Sequence, residues 1–186
     1  MKATFEAIPE FKTKSLLLRA ISISDAPSYK KYFVDYEVIR HLSAAVPWPY
    51  PEDGVADFIN KVILPRQGID RWSWALCFKE APSELIGVVD LWRAGRPENR
   101  GFWLGKKYWG QGLMTEAIEP VTNYAFTSLK FDKLVFANAA GNKASRRIKE
   151  KSGARLVRVE PANFVDFQYT EQEVWELSKR EWLRGK

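Results

Sequence analysis

The chain has 186 residues, 46% of them hydrophobic and 28% charged, with a formal net charge of +6. Such a composition is typical of an ordinary globular protein, and the length predicts one domain, residues 1–186, with a substantial core. Because the charges are scattered, with no run of five or more basic residues, we expect a solvated surface rather than a dedicated nucleic-acid site.

The cysteine content and the hydropathy of the sequence indicate the cellular compartment of the protein. The single cysteine, Cys77, excludes an internal disulfide and fits a reducing compartment. It lies in the apolar run Trp74–Phe78, so we expect a buried structural thiol rather than a nucleophile. The start, Met1 to Glu6, lacks a signal-peptide core, and no apolar stretch approaches the length of a membrane span. We therefore expect a cytoplasmic protein that does not enter membranes.

The predicted elements follow a loose lead-in over residues 1–12. Alternating apolar runs indicate strands, whereas capping residues, helical periodicity and terminal glycines mark helices. Pro47 to Pro51 excludes regular structure, and its aromatic residues form either a rigid surface elbow or a substrate-facing lip. The predicted elements are, in chain order, strand 15–21, helix 24–35, helix 37–42, helix 52–64, strands 71–79, 84–93 and 100–106, helix 113–128, strand 133–137, helix 142–151, and strands 155–160 and 172–179.

The order of these elements predicts an α+β fold. It has about seven strands in a mixed, mostly antiparallel sheet and about four flanking helices. The strand before the helix at 113–128 and the strand after it are expected to be parallel neighbours, because a helical crossover joins them. Gly87, inside a predicted strand, indicates a bulge or a close approach of two backbones.

Gly110 and Gly112 lie where the chain passes from strand to helix. Glycines at such a position let the backbone turn tightly and bring its N–H groups close to a ligand. The following helix presents unpaired N–H groups and the positive end of its dipole, which suits a phosphate. Gly-x-Gly alone is a weak signal, but the strand before it, Thr115-Glu116 after it and the segment near Asn142 strengthen it. Glu116 itself is most simply a partner of the helix dipole.

These motifs resemble those of the GNAT acetyltransferase superfamily over about residues 13–183. Trp109-Gly110-Gln111-Gly112-Leu113-Met114 resembles its pyrophosphate loop, which usually reads Gln/Arg-Gly-x-Gly-x-Gly/Ala. Gly-Phe-Trp-Leu at 101–104, Asn-Lys-Ala-Ser-Arg-Arg at 142–147 and Ser-Gly-Ala at 152–154 resemble the branch that contains the ribosomal-protein N-terminal alanine and serine acetyltransferases.

The resemblance implies the GNAT fold, in which the two central parallel strands splay apart and acetyl-CoA occupies the gap. It implies acetyl-CoA as co-substrate, no metal, and the backbone N–H of about Leu104 as the donor to the thioester oxygen. Asn142 would hold the pantetheine arm, a role that we favour over helix capping, which an asparagine there also performs well. The implied acetyl-CoA-binding residues are Leu104, Trp109, Gly110, Gln111, Gly112, Leu113, Met114, Thr115, Asn142 and Ser145.

The resemblance also implies the catalytic groups. Many superfamily members carry a tyrosine where this chain has Lys149, as the acid that protonates the departing thiolate. Ser145 or water is therefore the candidate acid here. Relatives often carry a glutamate base at the position of Asn99, so we predict Glu98 beside it, or Asp166, as the base. Asp90 is a third acid in the region, and each of these acids could equally be an ordinary surface or hairpin residue.

The resulting functional prediction is transfer of acetyl from acetyl-CoA to a primary amine by direct attack. A protein N-terminus is the first acceptor class, as in the ribosomal-protein enzymes that the chain resembles. The alternatives are a small amine, such as a polyamine, an aminoglycoside or an amino acid, and a non-catalytic domain that binds acyl-CoA. The sequence leaves a homodimer open.

Overall fold

A computed structural model describes residues 7–93 and 97–185. The strands in these ranges are β1 (Phe11–Lys12), β2 (Leu16–Ala20), β3 (Arg71–Phe78), β4 (Gly87–Trp92), β5 (Arg100–Leu104), β6 (Lys133–Ala139), β7 (Arg155–Pro161) and β8 (Glu171–Ser178). The α-helices are α1 (Ala26–Phe33), α2 (Tyr36–Ile39), α3 (Gly54–Phe58), α4 (Leu113–Thr127), α5 (Lys143–Lys151) and α6 (Lys179–Arg184). The mixed α+β architecture confirms the predicted fold class.

The strands form two sheets. The first contains β1 to β5 in chain order, and the second has the order β6-β8-β7; every paired strand in both is antiparallel to its neighbour. The strands are rich in aromatic and aliphatic residues, which favour extended backbone on a buried sheet face. β5 and β6 are the edges that the two sheets turn towards each other.

β5 and β6 meet through Asn99, the residue before β5. The Asn99 N–H donates to the carbonyl of Val135 on β6 (2.9 Å), and the Asn99 side-chain oxygen accepts from the Val135 N–H (3.0 Å). No backbone ladder joins the two strands beyond this point in the described part of the chain. The predicted splay between the central strands is therefore present as a gap between two sheets.

α4 packs on the first sheet and against α5. It buries one apolar face, formed by Leu113, Met114, Ala117, Ile118, Val121, Ala125 and Phe126. These positions recur every three or four residues, as an amphipathic helix requires. α5 is different, because its buried residues are the polar Ser145 and Lys149. α4 thus supplies core, whereas α5 turns a polar face inward.

Several boundaries differ from the sequence prediction. Residues 1–6 of the predicted lead-in lie outside the described residues, but Phe11 and Lys12 pair with β2 as β1. The predicted helix over 52–64 is α3 followed by a π-helical turn at Ile59–Ile63 and a 3₁₀ turn at Leu64–Arg66. The last predicted strand ends at Ser178, whose side chain caps α6, a helix that the sequence analysis missed. None of the helices described for residues 7–93 and 97–185 has both the length and the apolar character needed to cross a bilayer.

Candidate active site

A cleft of about 840 Å³ lies in the gap between the two sheets. Its volume is in the range of ligand-binding pockets. One end is formed by α2 and the residues that follow it, and the other by the glycine-containing loop, the start of α4 and α5. The residues that line the cleft include Glu37, Val38, His41, Leu42, Glu98, Arg100, Phe102, Leu104, Trp109, Gly110, Gly112, Leu113, Met114, Thr115, Asn142, Lys143, Ser145, Arg147, Lys149, Lys151 and Phe164.

Gly110 and Gly112 shape the loop between β5 and α4. Their φ angles are +76° and +79°, in the left-handed region that favours glycine, and Gly112 is the residue that precedes the helix. A Cβ added to either glycine would meet no protein atom within 4 Å. Both glycines therefore border open space in the cleft, directly before the N–H groups of the first turn of α4.

The other loop residues divide between the cleft wall and the core. Trp109 is 43% exposed, and its indole N–H donates to the Leu104 carbonyl (2.7 Å). Leu113 and Met114 have buried side chains, so they can serve a ligand mainly through their backbone. Gln111 bonds within the loop, to the carbonyl of Lys107 (3.2 Å). Departures from the family sequence at positions 109 and 114 are therefore compatible with a backbone cradle, which the exposed Thr115 extends.

The backbone N–H of Leu104 points away from β4. Gly105 donates to the carbonyl of Ile86 (2.9 Å), and the next pair in the register is Gly87 with Leu104. Because hydrogen-bonded and non-hydrogen-bonded pairs alternate in an antiparallel ladder, Leu104 lies in a non-hydrogen-bonded pair. Its N–H is directed towards the gap, the direction expected of a donor to a thioester oxygen.

Gly87 permits this pairing through a close backbone approach. A Cβ at Gly87 would lie 2.7 Å from the carbonyl oxygen of Trp103 and 2.9 Å from a Leu104 methyl carbon. Real Cβ atoms do not approach so closely, so only glycine fits here. The close approach predicted at Gly87 is confirmed.

Asn142 and Ser145 lie at the start of α5. The Asn142 side-chain oxygen accepts from the backbone N–H of Ser145 (3.0 Å), which is an N-cap bond. No described residue accepts a hydrogen bond from the amide nitrogen of Asn142, so the cap leaves its donors for a ligand. Ser145 is 9% exposed, and its hydroxyl accepts from the Lys149 ammonium (2.7 Å).

The comparisons with known proteins decide the family. The family described as "Acetyltransferase (GNAT) domain" matches residues 15–155.

The chain belongs to the GNAT acetyltransferases.

Two of the relatives that the chain matches are named as acetyltransferases. "Probable N-acetyltransferase YjcK" of Bacillus subtilis (strain 168) is 35% identical over 153 residues, covering 76% of this chain and 81% of that protein. "Putative ribosomal N-acetyltransferase YdaF" of the same organism is 27% identical over 99 residues, and this match spans 53% of the chain and only 54% of the relative. GNAT acetyltransferases use acetyl-CoA, so this protein is an N-acetyltransferase with acetyl-CoA as its acetyl donor.

A solved structure shares the fold. The chain superposes on RimL, a ribosomal L7/L12 alpha-N-protein acetyltransferase in complex with coenzyme A, with a TM-score of 0.72. The identity is 20%, and the match covers 93% of this chain and 98% of that chain. At this identity the likeness shows the fold alone.

The charges of the GNAT cleft fit a polyanionic co-substrate. Lys143, Arg147 and Lys151 recur every fourth residue along α5 and all line the cleft. None of the three takes part in an ion pair with a described residue. They line the same cleft as the open glycines, so this GNAT cleft offers both a backbone cradle and unpaired cations to the phosphates of coenzyme A.

The candidate bases lie in different surroundings. Glu98 lines the cleft and has no ion-pair partner in the described part of the chain. Asp166 is 3% exposed and lies outside the cleft lining: one oxygen accepts two bonds from Arg40 (2.6 and 3.0 Å), and the other accepts the N–H of Gln168 (3.0 Å). The Gln168 N–H, helped by Arg40, keeps the pKa of Asp166 below its ordinary value. A carboxylate held in this way ties α2 to the 164–169 segment and is a poor base, so the geometry disfavours the predicted role of Asp166.

Two other acids are structural. Asp90 accepts hydrogen bonds from Arg71 and Ser73 on β3. Glu116 accepts from the Thr13 hydroxyl (2.5 Å) and the Ser15 N–H (2.6 Å), in the turn between β1 and β2. Burial raises the pKa of Glu116, but the bonds to Thr13 and Ser15 outweigh it and the net shift is downward. Glu116 thus pins the first hairpin to α4, a contact that the helix-dipole interpretation did not include.

Sequence reasoning missed His41 as a cleft residue. Its ring lies 4.8 Å from that of Tyr169, and its Nε2 is 3.1 Å from the Tyr169 hydroxyl. Burial, followed by the charge of Arg40, lowers the pKa of His41, so the ring is mostly neutral at physiological pH. The isolated histidine in the sequence had no motif around it, and only the fold brings it to the cleft.

The remaining sequence predictions concern Cys77 and the proline-rich segment. Cys77 is fully buried, and burial raises its pKa to about 11, which confirms a structural thiol. Trp48 and Tyr50 pack on Tyr36 and Phe33, respectively, and lie outside the cleft lining. The geometry therefore favours a surface elbow over a lip. No group of three or more His, Cys, Asp or Glu in residues 7–93 and 97–185 is arranged to hold a metal ion.

Proposed function

We propose that this GNAT enzyme acetylates the free N-terminal amine of a protein. Two proteins that the chain is similar to carry such names: YdaF as a ribosomal N-acetyltransferase and RimL as a ribosomal alpha-N-protein acetyltransferase. The choice between a protein N-terminus and a small amine depends on the end of the cleft opposite to the phosphate loop.

The observation that carries the proposal is the character of that end. It combines apolar side chains, Val38, Leu42 and Phe164, with two carboxylates. Glu37 is paired with Arg40 (3.4 Å), whereas Glu98 has no ion-pair partner among the described residues. A protonated N-terminus needs a nearby negative charge, and the side chain of the first residue needs an apolar surface.

The chain supplies the groups that the reaction needs. The Leu104 N–H, directed into the gap, stabilises the thioester oxygen as it gains negative charge, an effect of about 3 kcal/mol for one donor. Glu98 accepts the proton that the amine must lose, directly or through water, before its lone pair attacks the carbonyl carbon. An N-terminal amine titrates near pH 8, so a weak base suffices. Acetyl-CoA supplies the acetyl group as a thioester.

A substrate panel tests the acceptor. Acetyl-CoA is supplied with short peptides that start with alanine, serine or methionine, and with the same peptides blocked at the N-terminus but carrying an internal lysine. Spermidine, an aminoglycoside and free amino acids complete the panel. We expect kcat/KM to be at least about 10-fold higher for a free peptide N-terminus, which corresponds to about 1.4 kcal/mol of differential binding. Equal or better turnover of the small amines would contradict the proposal and favour the small-amine alternative.

A pair of variants tests the base. Glu98→Gln should lower kcat/KM for peptides about 10²-fold without weakening coenzyme A binding. Glu80→Gln is the matched control, because Glu80 is an exposed acid at the turn between β3 and β4 and does not line the cleft. If both variants retain full activity, Glu98 has no part in deprotonation.

A further inference from the structure

We propose that Ser145 protonates the departing thiolate of coenzyme A and that Lys149 replaces the proton that Ser145 gives up. The inference rests on the proposed acetyl transfer and adds a two-residue relay to it. Ser145 touches the sulfur in this scheme, whereas Lys149 acts through Ser145 and is a positioning and proton-supplying residue.

The geometry fixes the direction of the hydrogen bond between the two side chains. Lys149 lies one helical turn after Ser145 on α5, and its Nζ is 2.7 Å from the Ser145 oxygen. A lysine ammonium has three donors and no acceptor, so the serine oxygen must accept. The hydroxyl proton of Ser145 is then free to point elsewhere, and both residues line the cleft. Lys149 therefore orients Ser145 as a donor towards the cleft.

Burial of the Lys149 ammonium group destabilises the folded protein. The side chain is 1% exposed, and it makes no ion pair with any described residue. Glu173, the nearest acid to act on it, is engaged by Arg146 (2.8 Å) and Asn138 (3.0 Å). A buried charge without a partner destabilises a protein, and an apolar side chain of similar length would fill the space at less cost. Stability therefore does not explain a lysine at this position, which points to a role in the reaction.

The surroundings make the Lys149 ammonium a stronger acid than an ordinary lysine. Burial, followed by the charge of Arg100 on β5, lowers the pKa of Lys149 well below its ordinary value, while Glu173 opposes the shift. Arg100 is 4% exposed, so its charge is also poorly screened. Nζ lies 5.5 Å from the centre of the Phe102 ring, on the strand whose edge faces the gap. The proton of Lys149 is thus held weakly and near the expected thioester position.

The relay balances atoms and charge. The amine nitrogen forms a bond to the carbonyl carbon, the carbon–sulfur bond breaks, and its electron pair goes to sulfur. The sulfur takes the hydroxyl proton of Ser145, and the Ser145 oxygen takes a proton from Lys149 Nζ. Lys149 is left as a neutral amine, and it regains a proton from water after the thiol has left. The proton lost by the attacking amine passes to Glu98, directly or through water, and then to solvent, so the net products are an amide and a thiol.

A change of leaving group separates this role from a structural one. Lys149→Met keeps the length and apolar stem but removes the proton. We expect kcat/KM with acetyl-CoA to fall about 10²-fold, the lower end of general-acid effects. With the acetyl thioester of 4-nitrobenzenethiol, whose thiolate leaves without protonation, the fall should be less than about 3-fold. Equal falls with both thioesters would overturn the relay.

A second variant keeps the charge but removes the ability to release the proton. Lys149→Arg retains a cationic donor beside Ser145, yet an arginine in a protein does not give up its proton. We expect the same selective loss as for Lys149→Met, whereas full activity would overturn the relay. If the wild type turns over acetyl-CoA and both variants match it, the relay alone fails. If the wild type turns over no amine at all, the proposed function fails and the relay with it.

The wild-type protein provides a test that does not depend on the folding of a variant. Because Lys149 must start protonated, kcat/KM for acetyl-CoA should fall at alkaline pH, with a midpoint below the ordinary lysine value of about 10.4. The charged groups that surround Lys149 are Arg100, Glu173 and Arg146. Burial lowers the pKa of Arg100 to about 9, so its charge can also change in this range, and a thioester that needs no leaving-group proton separates the two effects. The alkaline fall should be absent with the 4-nitrobenzenethiol thioester. The same fall with both thioesters would overturn the relay.

Discussion

Gly112→Ala tests the phosphate loop with a control that the chain itself provides. Gly112 has φ +79°, and a Cβ there meets no protein atom within 4 Å. Gly153, beyond the end of α5, has φ +78° and is equally open, but it does not line the cleft. Alanine in the left-handed region costs about 1–2 kcal/mol at either site. For a chain of this size, each variant should lose about 2–8 °C in Tm.

Coenzyme A binding should distinguish the two glycines. The added methyl of Gly112→Ala takes space that the diphosphate needs, and it displaces charge-assisted hydrogen bonds worth about 1.5–3 kcal/mol. The Kd for coenzyme A, measured by isothermal titration calorimetry, should rise about 10- to 100-fold. Gly153→Ala should bind like the wild type. The reasoning is refuted if the two variants bind coenzyme A alike, or if Gly112→Ala loses stability without losing affinity.

Three further predictions concern stability and charge. Glu116→Gln should lower the free energy of unfolding by about 1 kcal/mol, because it weakens two hydrogen bonds to the first hairpin. The pKa of Glu116 is lower in the folded state than its ordinary value, so the stability difference between the two proteins should be present above the ordinary pKa. In acid denaturation profiles the difference should disappear as the pH falls through the folded-state pKa. Lys149→Met should raise the free energy of unfolding at neutral pH by about 2 kcal/mol. Since the folded pKa of Lys149 is lowered, the wild type should regain stability as pH rises from that value towards the ordinary one, so urea titrations of the two proteins should converge there. Replacing Lys143, Arg147 and Lys151 with methionine should weaken coenzyme A binding about 10-fold at low salt and flatten its salt dependence, and an unchanged salt slope would contradict the electrostatic role.

The parts of the fold that the sequence predicted depend on local chemistry. Gly110 and Gly112 before a helical pattern indicate a tight turn and a helix start, and both are present, the turn with left-handed backbone at the two glycines. Asn142 was read as a cap and as a ligand-binding residue; it is a cap, and its free amide nitrogen leaves the second role as a prediction. These features depend on a few neighbouring residues, so spacing alone reveals them.

The features that the sequence did not predict depend on distant contacts. The ion pair between Asp166 and Arg40 joins residues far apart in the chain, and the sequence around Asp166 does not predict it. β1 has two residues, which is too short for a strand pattern. The spacing of Ser145 and Lys149 places them on one helical face, but only the packed structure shows that both are buried. Burial and ion pairing thus distinguish the polar residues that can take part in the reaction from those that stabilise the fold.

Asn99 contributes both a backbone N–H and a side-chain oxygen to the contact with Val135 at the closed end of the gap. A substitution at this position would keep the backbone bond and lose the side-chain bond, so one of the two hydrogen bonds at the narrow end of the gap depends on an asparagine. A replacement at position 99 would change the aperture available to an acyl chain while leaving every substrate-contacting residue intact. Acyl length preference could therefore evolve, or be engineered, at a residue outside the cleft lining.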